Sequence, residues 1–392
     1  MDQKIDGIHQ MVSREKMTES ARRLRDFYAM KPQAPFIQQE FGFYSLDRWK
    51  EEGHMPVFSD PEQERRWMAD TFGFEENGSC SLGGLGWCEA AFEPEYEQKV
   101  LEDKGDYDLA QDHAGRKVLF FKGKRSGFMP EYVDHPVKDQ KTWEEDVKWR
   151  MNPASPERFD SAFSETMQKA VDAARQGKVM IQSVIGGYMY LRSLIGPLEM
   201  MYMFHDEPDL IHDCMETWLQ LADAVIARHQ QQVSLDEIFL AEDICYNHGS
   251  LISPDMMREF LFPYYQQLIS NAKKRQLDPD RSLRIQIDTD GNCIPVIDLY
   301  REIGMSYMSP FEVASGCDVV QIGQDYPDLL MRGGVDKRVM AQGKEAIDRE
   351  MDRILPVMFK RGGYMPVCDH GVPEEVSFEN YLYYRKRVLA YR

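Results

Sequence analysis

Val179-Met180-Ile181-Gln182-Ser183-Val184-Ile185, closed by Gly186-Gly187, is the stretch whose reading decides the fold. It is a short run of apolar and β-branched residues, too brief for a helix and ended by a chain breaker. A helical pattern over 160–177 precedes it. A second helix follows, with Asp209-Leu210-Ile211 near its start and Ala222 and Ile226 further along. The same rhythm then repeats. Glu237-Ile238-Phe239-Leu240-Ala241-Glu242-Asp243 leads to a helix opening at Ser253-Pro254, an N-cap followed by proline at the first helical position. Further strands are predicted at Leu283–Asp288, Met305–Ser309, Leu330–Val335 and Tyr364–Cys368, with a helix starting at Gly343. Short strands separated by single helices pair in parallel through crossovers. Seven or eight of them favour a closed (β/α)8 TIM barrel over an open sheet. A doubly wound sheet would carry a glycine-rich phosphate loop after its first strand, and none is present.

Working outward, the first 30 residues read as an amphipathic helix pair, and Pro35–Phe41 as the first barrel strand. Residues 78–135 hold aromatic and β-branched runs broken by Gly, Asp and Pro: Leu85–Phe92, then Arg116–Phe121. They predict a β-hairpin insertion in a single barrel domain spanning 1–392. Trp87, Phe92, Phe120, Phe121 and Phe128 are expected to wall or cover the mouth of the barrel.

Composition narrows the function. Sixty-six acidic against 47 basic side chains give a formal charge of -19, which repels phosphate backbones and anionic lipid. Nucleic acid and membrane are therefore not expected as partners. A mean hydropathy of -0.54 and the lack of any apolar run of about 18 residues argue against a membrane span. Met1–Asp6 lacks the apolar core of a signal peptide. The seven cysteines are scattered without paired spacing, as for free thiols in a reducing compartment, so the expected location is cytoplasmic.

In such a barrel the reactive groups sit where strands end. Those positions hold Glu40, Tyr188, Tyr190, Arg192, Glu242, Asp243, Asp288, Asp290, Glu312, Asp336, Lys337, Cys368, Asp369 and His370. Carboxylates dominate, with one thiol and one imidazole, which favours a divalent-metal site over a nucleophilic triad. The competing account is that acidic residues after strands cap helices or pair with lysines. For Cys368 alone, it is a buried inert thiol. Asp288 and Asp290 are two apart on a continuing strand and would share a face, and Gly291 lets the chain turn after them. No nucleophile-elbow motif surrounds Ser183, Ser250 or Ser309.

The stretch from Gly186 to the C-terminus resembles the uroporphyrinogen decarboxylase superfamily, a (β/α)8 barrel. The resemblance rests on Gly187-Tyr188-Met189, Ser253-Pro254 with Phe260–Tyr265, Gly333-Gly334-Val335-Asp336, and Asp369-His370-Gly371-Val372-Pro373. The superfamily includes cofactor-free decarboxylases and methyltransferases that act with a corrinoid protein. The decarboxylases grip substrate carboxylates with an Arg-Gln-Ala-Gly-Arg segment. Here Gln38-Gln39-Glu40-Phe41-Gly42-Phe43-Tyr44 stands in its place, and a glutamate opposes an octacarboxylate. The methyltransferases hold zinc with a His-x-Cys-Gly motif and a later cysteine. Asp288-Thr289-Asp290-Gly291 occupies the first motif, and Cys368 matches the last ligand.

The resemblance therefore implies an O-demethylase type of methyltransferase. A methoxylated small molecule would pass its methyl group to the Co(I) corrinoid of a separate protein, because no Asp-x-His-x-x-Gly corrinoid motif occurs here. A divalent metal, zinc, held by Asp288, Asp290, Cys368 and His370 would polarise the leaving oxygen. Glu242, Asp243, Asp288 and His370 are the catalytic candidates. Glu40, Tyr188, Tyr190, Arg192 and Lys337 are the substrate-binding candidates. The expected partners are the corrinoid protein and the small-molecule methyl donor, with a homodimer left open. The alternatives are a decarboxylase of a smaller acid, with Lys337 and Arg338 as an anion site, and a non-catalytic binding barrel.

Overall fold

A computed structural model describes residues 7–122 and 130–392. Seven strands form one sheet in which every neighbouring pair is parallel: Ser79–Ser81 (β1), Val179–Ile185 (β2), Glu237–Ala241 (β3), Arg284–Asp288 (β4), Met305–Ser309 (β5), Leu330–Arg332 (β6) and Tyr364–Met365 (β7). Sheet order follows chain order, and helices cross between successive strands from β2 onward. This is the α/β, TIM-barrel-like fold expected. β2 and β5 have the bounds predicted, whereas β6 and β7 are shorter because Gly333 and Pro366 interrupt them.

The helices start where their caps predict. Asp160 accepts from Ala162 and Phe163 at the head of Ser161–Arg175. Ser253 accepts from Met256, with Pro254 in the first turn. The residues between sheet and helices form one large apolar core, in which Val184, Ile238, Ile287 and Met308 have almost no exposed surface. Each such side chain contributes about 1.5–3 kcal/mol on burial.

Three predicted elements differ. Among the described residues the N-terminal helix pair is one α-helix, Glu19–Tyr28, preceded by a single turn at Arg14–Lys16. Its Leu24, Phe27 and Tyr28 enter the barrel and pack with Val179, Tyr307, Leu330 and Met365, closing the N-terminal end. Pro35–Phe41 is extended but is not a strand, and β1 holds the edge of the sheet instead. Ile37 joins the same interior cluster as β2, β6 and β7, so the segment fills the seam by side-chain packing rather than ladder hydrogen bonds. Leu85–Phe92 is a loop: Gly83, Gly84 and Gly86 all have positive φ, which breaks extended pairing.

The β-rich elaboration is a four-stranded antiparallel sheet of Lys99–Asp103, Tyr107–Gln111, Lys117–Phe121 and Glu131–Asp134. Arg116 ties it to the loop after β1 by donating to the Cys88 carbonyl at 3.2 Å. Of the expected mouth aromatics, Trp87 reaches a barrel strand, stacking on Phe239 at 5.4 Å between centroids. Phe92 instead packs edge-on against Tyr96, and Phe121 packs on Tyr107 within the antiparallel sheet. Phe120 is 39% exposed, and Phe128 lies outside the described residues.

Candidate active site at the strand ends

Because all seven strands run the same way, their C-terminal ends open on one rim, and the loops leaving it carry the acidic residues. The N–H groups of Glu242 and Asp243 donate to the Asp288 carbonyl at 2.9 and 3.1 Å, which locks the loop after β3 to the end of β4. Asp243 has φ +44°, a conformation seldom adopted by a residue with a side chain and one that concentrates at functional sites. Its carboxylate pairs with Arg192 at 2.9 Å. After β4 the chain turns at Gly291, φ +78°, where a Cβ would lie 2.7 Å from the Tyr246 carbonyl oxygen.

That turn presents Asp290 to the rim. Its Oδ2 lies 3.7 Å from His370 Nε2. His370 is held from behind by Tyr44, whose hydroxyl is 3.3 Å from Nδ1 and whose ring stacks on the imidazole. Glu312, on the loop after β5, accepts from Gly291 N–H at 2.9 Å and faces Lys337 Nζ at 3.5 Å. Asp369 clips two further loops together by accepting from the N–H groups of Val313 and Lys337. Asp288 sits deeper. Gln286 donates to Ser309 Oγ at 2.9 Å, and Ser309 in turn donates to Asp288 Oδ1.

Crowded carboxyls in a pocket resist ionisation. Burial first, then the negative charges of Asp243, Glu312 and Asp288, push Asp290 up to about 7, although its side chain keeps 43% of its surface open to the mouth. Burial pushes Asp288 up to about 6, against the opposing hydrogen bond from Ser309. Burial and then Lys337 lower His370, which favours the neutral imidazole. The mouth thus holds a carboxyl that can give or take a proton near neutrality, beside cations that can compensate the charge it leaves.

Several expected site residues lie elsewhere. Tyr190 is fully buried, and its hydroxyl donates to the Cys214 carbonyl, so it packs one helix on another and does not face a ligand. Glu40 accepts from Phe41 N–H, Cys368 N–H and Tyr381 OH, which makes it a strut between the seam segment and the last strand end. Glu242 is also enclosed. Tyr265 OH donates to both its oxygens at 2.8 and 2.7 Å, Tyr188 N–H donates at 3.3 Å, and a Cβ at Gly186 would strike its carboxylate. Tyr188 is 1% exposed and supplies that backbone donor. Arg192, Asp243, Asp288, Asp290, Lys337 and His370 do come together.

The four expected metal ligands do not fit a divalent ion. Cys368 Sγ faces Met340 Sδ at 3.8 Å, and burial, then Glu40 and Asp369, push its thiol well up, away from the thiolate form. Asp288 is taken by Ser309, which leaves Asp290 and His370 as a pair. Among the described residues no three His, Cys, Asp or Glu side chains converge as ligands. A cavity of about 620 Å³ lies between the loop after β1 and the Ser161–Arg175 and Pro208–Gln230 helices, and none of the expected site residues lines it.

Sequence reasoning missed Arg332, Trp87's stack on Phe239, and Tyr44 behind His370. A charged residue at the end of β6, just before Gly333-Gly334, was a legible signal for the first of these.

A sequence model described as uroporphyrinogen decarboxylase (URO-D) matches residues 127–391, about two thirds of the chain. The chain belongs to the URO-D family. No curated protein matches it by sequence. Among solved structures it is similar to a methyltransferase from Methanosarcina mazei, with 14% identity and a TM-score of 0.58 over 94% of this chain and 97% of that one. At that identity the likeness speaks for the fold alone. Xylanase B from Clostridium stercorarium F9 shares 11% identity and a TM-score of 0.31, over 60% of this chain and 80% of that one, too remote to carry an argument. As in other URO-D family barrels, the chemistry of this chain must be argued from its own rim.

Proposed function

We propose that this URO-D family member is the substrate-specific methyltransferase of a corrinoid-dependent system. A methoxylated small molecule binds at the rim, its methyl carbon is attacked by the Co(I) corrinoid of a separate protein, and the hydroxyl product leaves. The observation that carries the reading is the open, proton-bearing Asp290 set against His370 and close to Lys337. The methyltransferase-like overall fold supports it.

The step balances as follows. Co(I) supplies the electron pair for the new cobalt–carbon bond, the carbon–oxygen bond breaks, and the leaving oxygen takes that bond's pair together with one proton. Asp290 supplies the proton. A general acid near its pKa at working pH contributes about 10²–10⁴-fold to such a step. The carboxylate left behind is compensated by Lys337, whose positive charge already lowers Asp290. Neutral His370 can relay a proton from solvent to Asp290 between turnovers, taking one at one ring nitrogen as it gives one at the other. No step is routed through a metal, because the donor set does not gather into one. Phe41, packed against His370, provides an apolar wall beside the leaving oxygen.

The test is anaerobic. The purified chain, a Co(I) corrinoid protein and a panel of methoxylated compounds are combined, and the Co(I) absorbance is followed with the product alcohol. Loss of Co(I) with stoichiometric alcohol supports the reading. No transfer from any donor, with carbon dioxide released from a carboxylic acid instead, replaces it with the decarboxylase reading. Elemental analysis of active protein checks the metal. Activity that tracks zinc content would show that the proton-donor account is wrong.

A further inference from the structure

Arg332 ends β6, two residues after Leu330, which packs in the cluster that plugs the barrel interior. Side chains two apart share a face, so Arg332 points into the barrel above that plug. Its guanidinium lies 5.6 Å from the centre of the Phe41 ring, and that ring is 5.2 Å from the imidazole of His370. Arg332 is also the positive charge felt by Asp288, by Glu237 deeper in the barrel, and by Tyr307. It therefore sits on the floor of the mouth, between Asp288 and the His370 wall.

Among the described residues its side chain has no hydrogen bond and no ion pair, only the face of Phe41, and its Nε is buried without a partner. The other cations of the mouth are engaged: Arg192 by Asp243, and Lys337 by Glu312. Asp288 is already taken up by Ser309. An arginine carries five donors in a planar fork that matches an oxyanion, and a partly buried fork that reaches no acceptor is costly. A protein keeps such a group where a ligand completes it.

We propose that Arg332 is the carboxylate anchor of the mouth, and that the molecule bound there is a small carboxylic acid gripped through paired N–H···O bonds. The anchor places the acid end of the ligand at the barrel floor and leaves its other end at the rim, beside Asp290. The methoxy group on that far end rests on the methyl-transfer reading; the anchor itself does not.

Binding of methoxyacetate and 4-methoxybenzoate, each against its own primary amide, tests this by calorimetry on the full chain. A charge-assisted pair predicts that at least one acid binds roughly 10- to 100-fold more tightly than its amide. Arg332→Gln brings acid and amide to parity without weakening the amide, and Arg332→Lys keeps part of the preference. Wild-type protein that favours neither acid over its amide overturns the proposal, as does Arg332→Gln protein that retains the full preference. Should Arg332→Gln fail to fold by circular dichroism, the wild-type comparison and Arg332→Lys still decide. Acid preference without methyl transfer to Co(I) refutes the methyltransferase reading and leaves the anchor standing. Equal methyl transfer from acid and amide, with the same KM, does the reverse.

Discussion

Glu242 and Asp290 leave neighbouring strands on the same rim, and both are pushed up to about 7 by burial first. Their surroundings could hardly differ more. Glu242 lies behind the sheet, in the layer of helices, where Tyr265 and the Tyr188 N–H occupy its oxygens. Asp290 lies in front, partly open, with an imidazole at 3.7 Å and further carboxylates close by. A raised pKa therefore does not by itself mark a reacting group. Hydrogen bonds and access decide: the polar groups behind the sheet are used in holding loops, whereas in the mouth the side chains of Asp290 and Arg332 make no hydrogen bond among the described residues. Glu40, Tyr190 and Cys368 belong with the first region, and Arg332 and His370 with the second.

The largest effect that could break this contrast is on rate. Asp290→Asn removes the acidic proton with little change of volume, and methyl transfer should fall about 10²–10⁴-fold with the melting temperature unchanged. Stopped-flow loss of Co(I) reads the rate. A fall of less than about threefold would move the proton donor elsewhere.

Behind the sheet the loss should appear in stability. Tyr265→Phe deprives Glu242 of its chief donor and Gly187 N–H of its acceptor, at a cost of about 1–3 kcal/mol in denaturant unfolding. The rate per folded molecule should stay the same. Reduced activity at full stability would place Glu242 in the mouth's chemistry after all.

The pH dependence sharpens the same point. Glu237, bonded to Tyr28 inside the barrel, and Glu242 are each pushed from near 4.5 to about 7 by burial. With folded values above the unfolded ones, the folded state holds more protons in between. Stability should thus fall as pH rises from about 4.5 to about 7 and level off above that. Urea midpoints across this range should show the slope, and Glu237→Gln with Glu242→Gln should reduce it, with Asp288 and Asp290 carrying the remainder. A slope untouched by both changes would assign it to the mouth carboxyls.

The smallest effect concerns Tyr190. Tyr190→Phe loses one hydrogen bond to the Cys214 carbonyl, about 1 kcal/mol, and should leave KM for the methyl donor unchanged. A raised KM would return Tyr190 to the substrate site.

The barrel rhythm was legible because buried parallel strands read as short apolar runs between helices. β2 and β5 could be bounded to the residue, and the carboxylates Asp243, Asp288 and Asp290 were marked by their place after strands. Pro35–Phe41 has the composition of a strand, yet only the three-dimensional seam determines that its neighbours offer side chains instead of a ladder. Partnership across the chain was hidden as well. Glu40 meets Cys368 N–H from 328 residues away, and Tyr44 meets His370 from 326. Most decisive was parity at the last strand end. Val367 packs into the barrel interior, so Cys368, one residue on, is turned to Met340 in the outer layer. A sequence names the residues that arrive at a rim; a one-residue alternation, fixed by which side chains the core accepts, chooses which of them face the ligand.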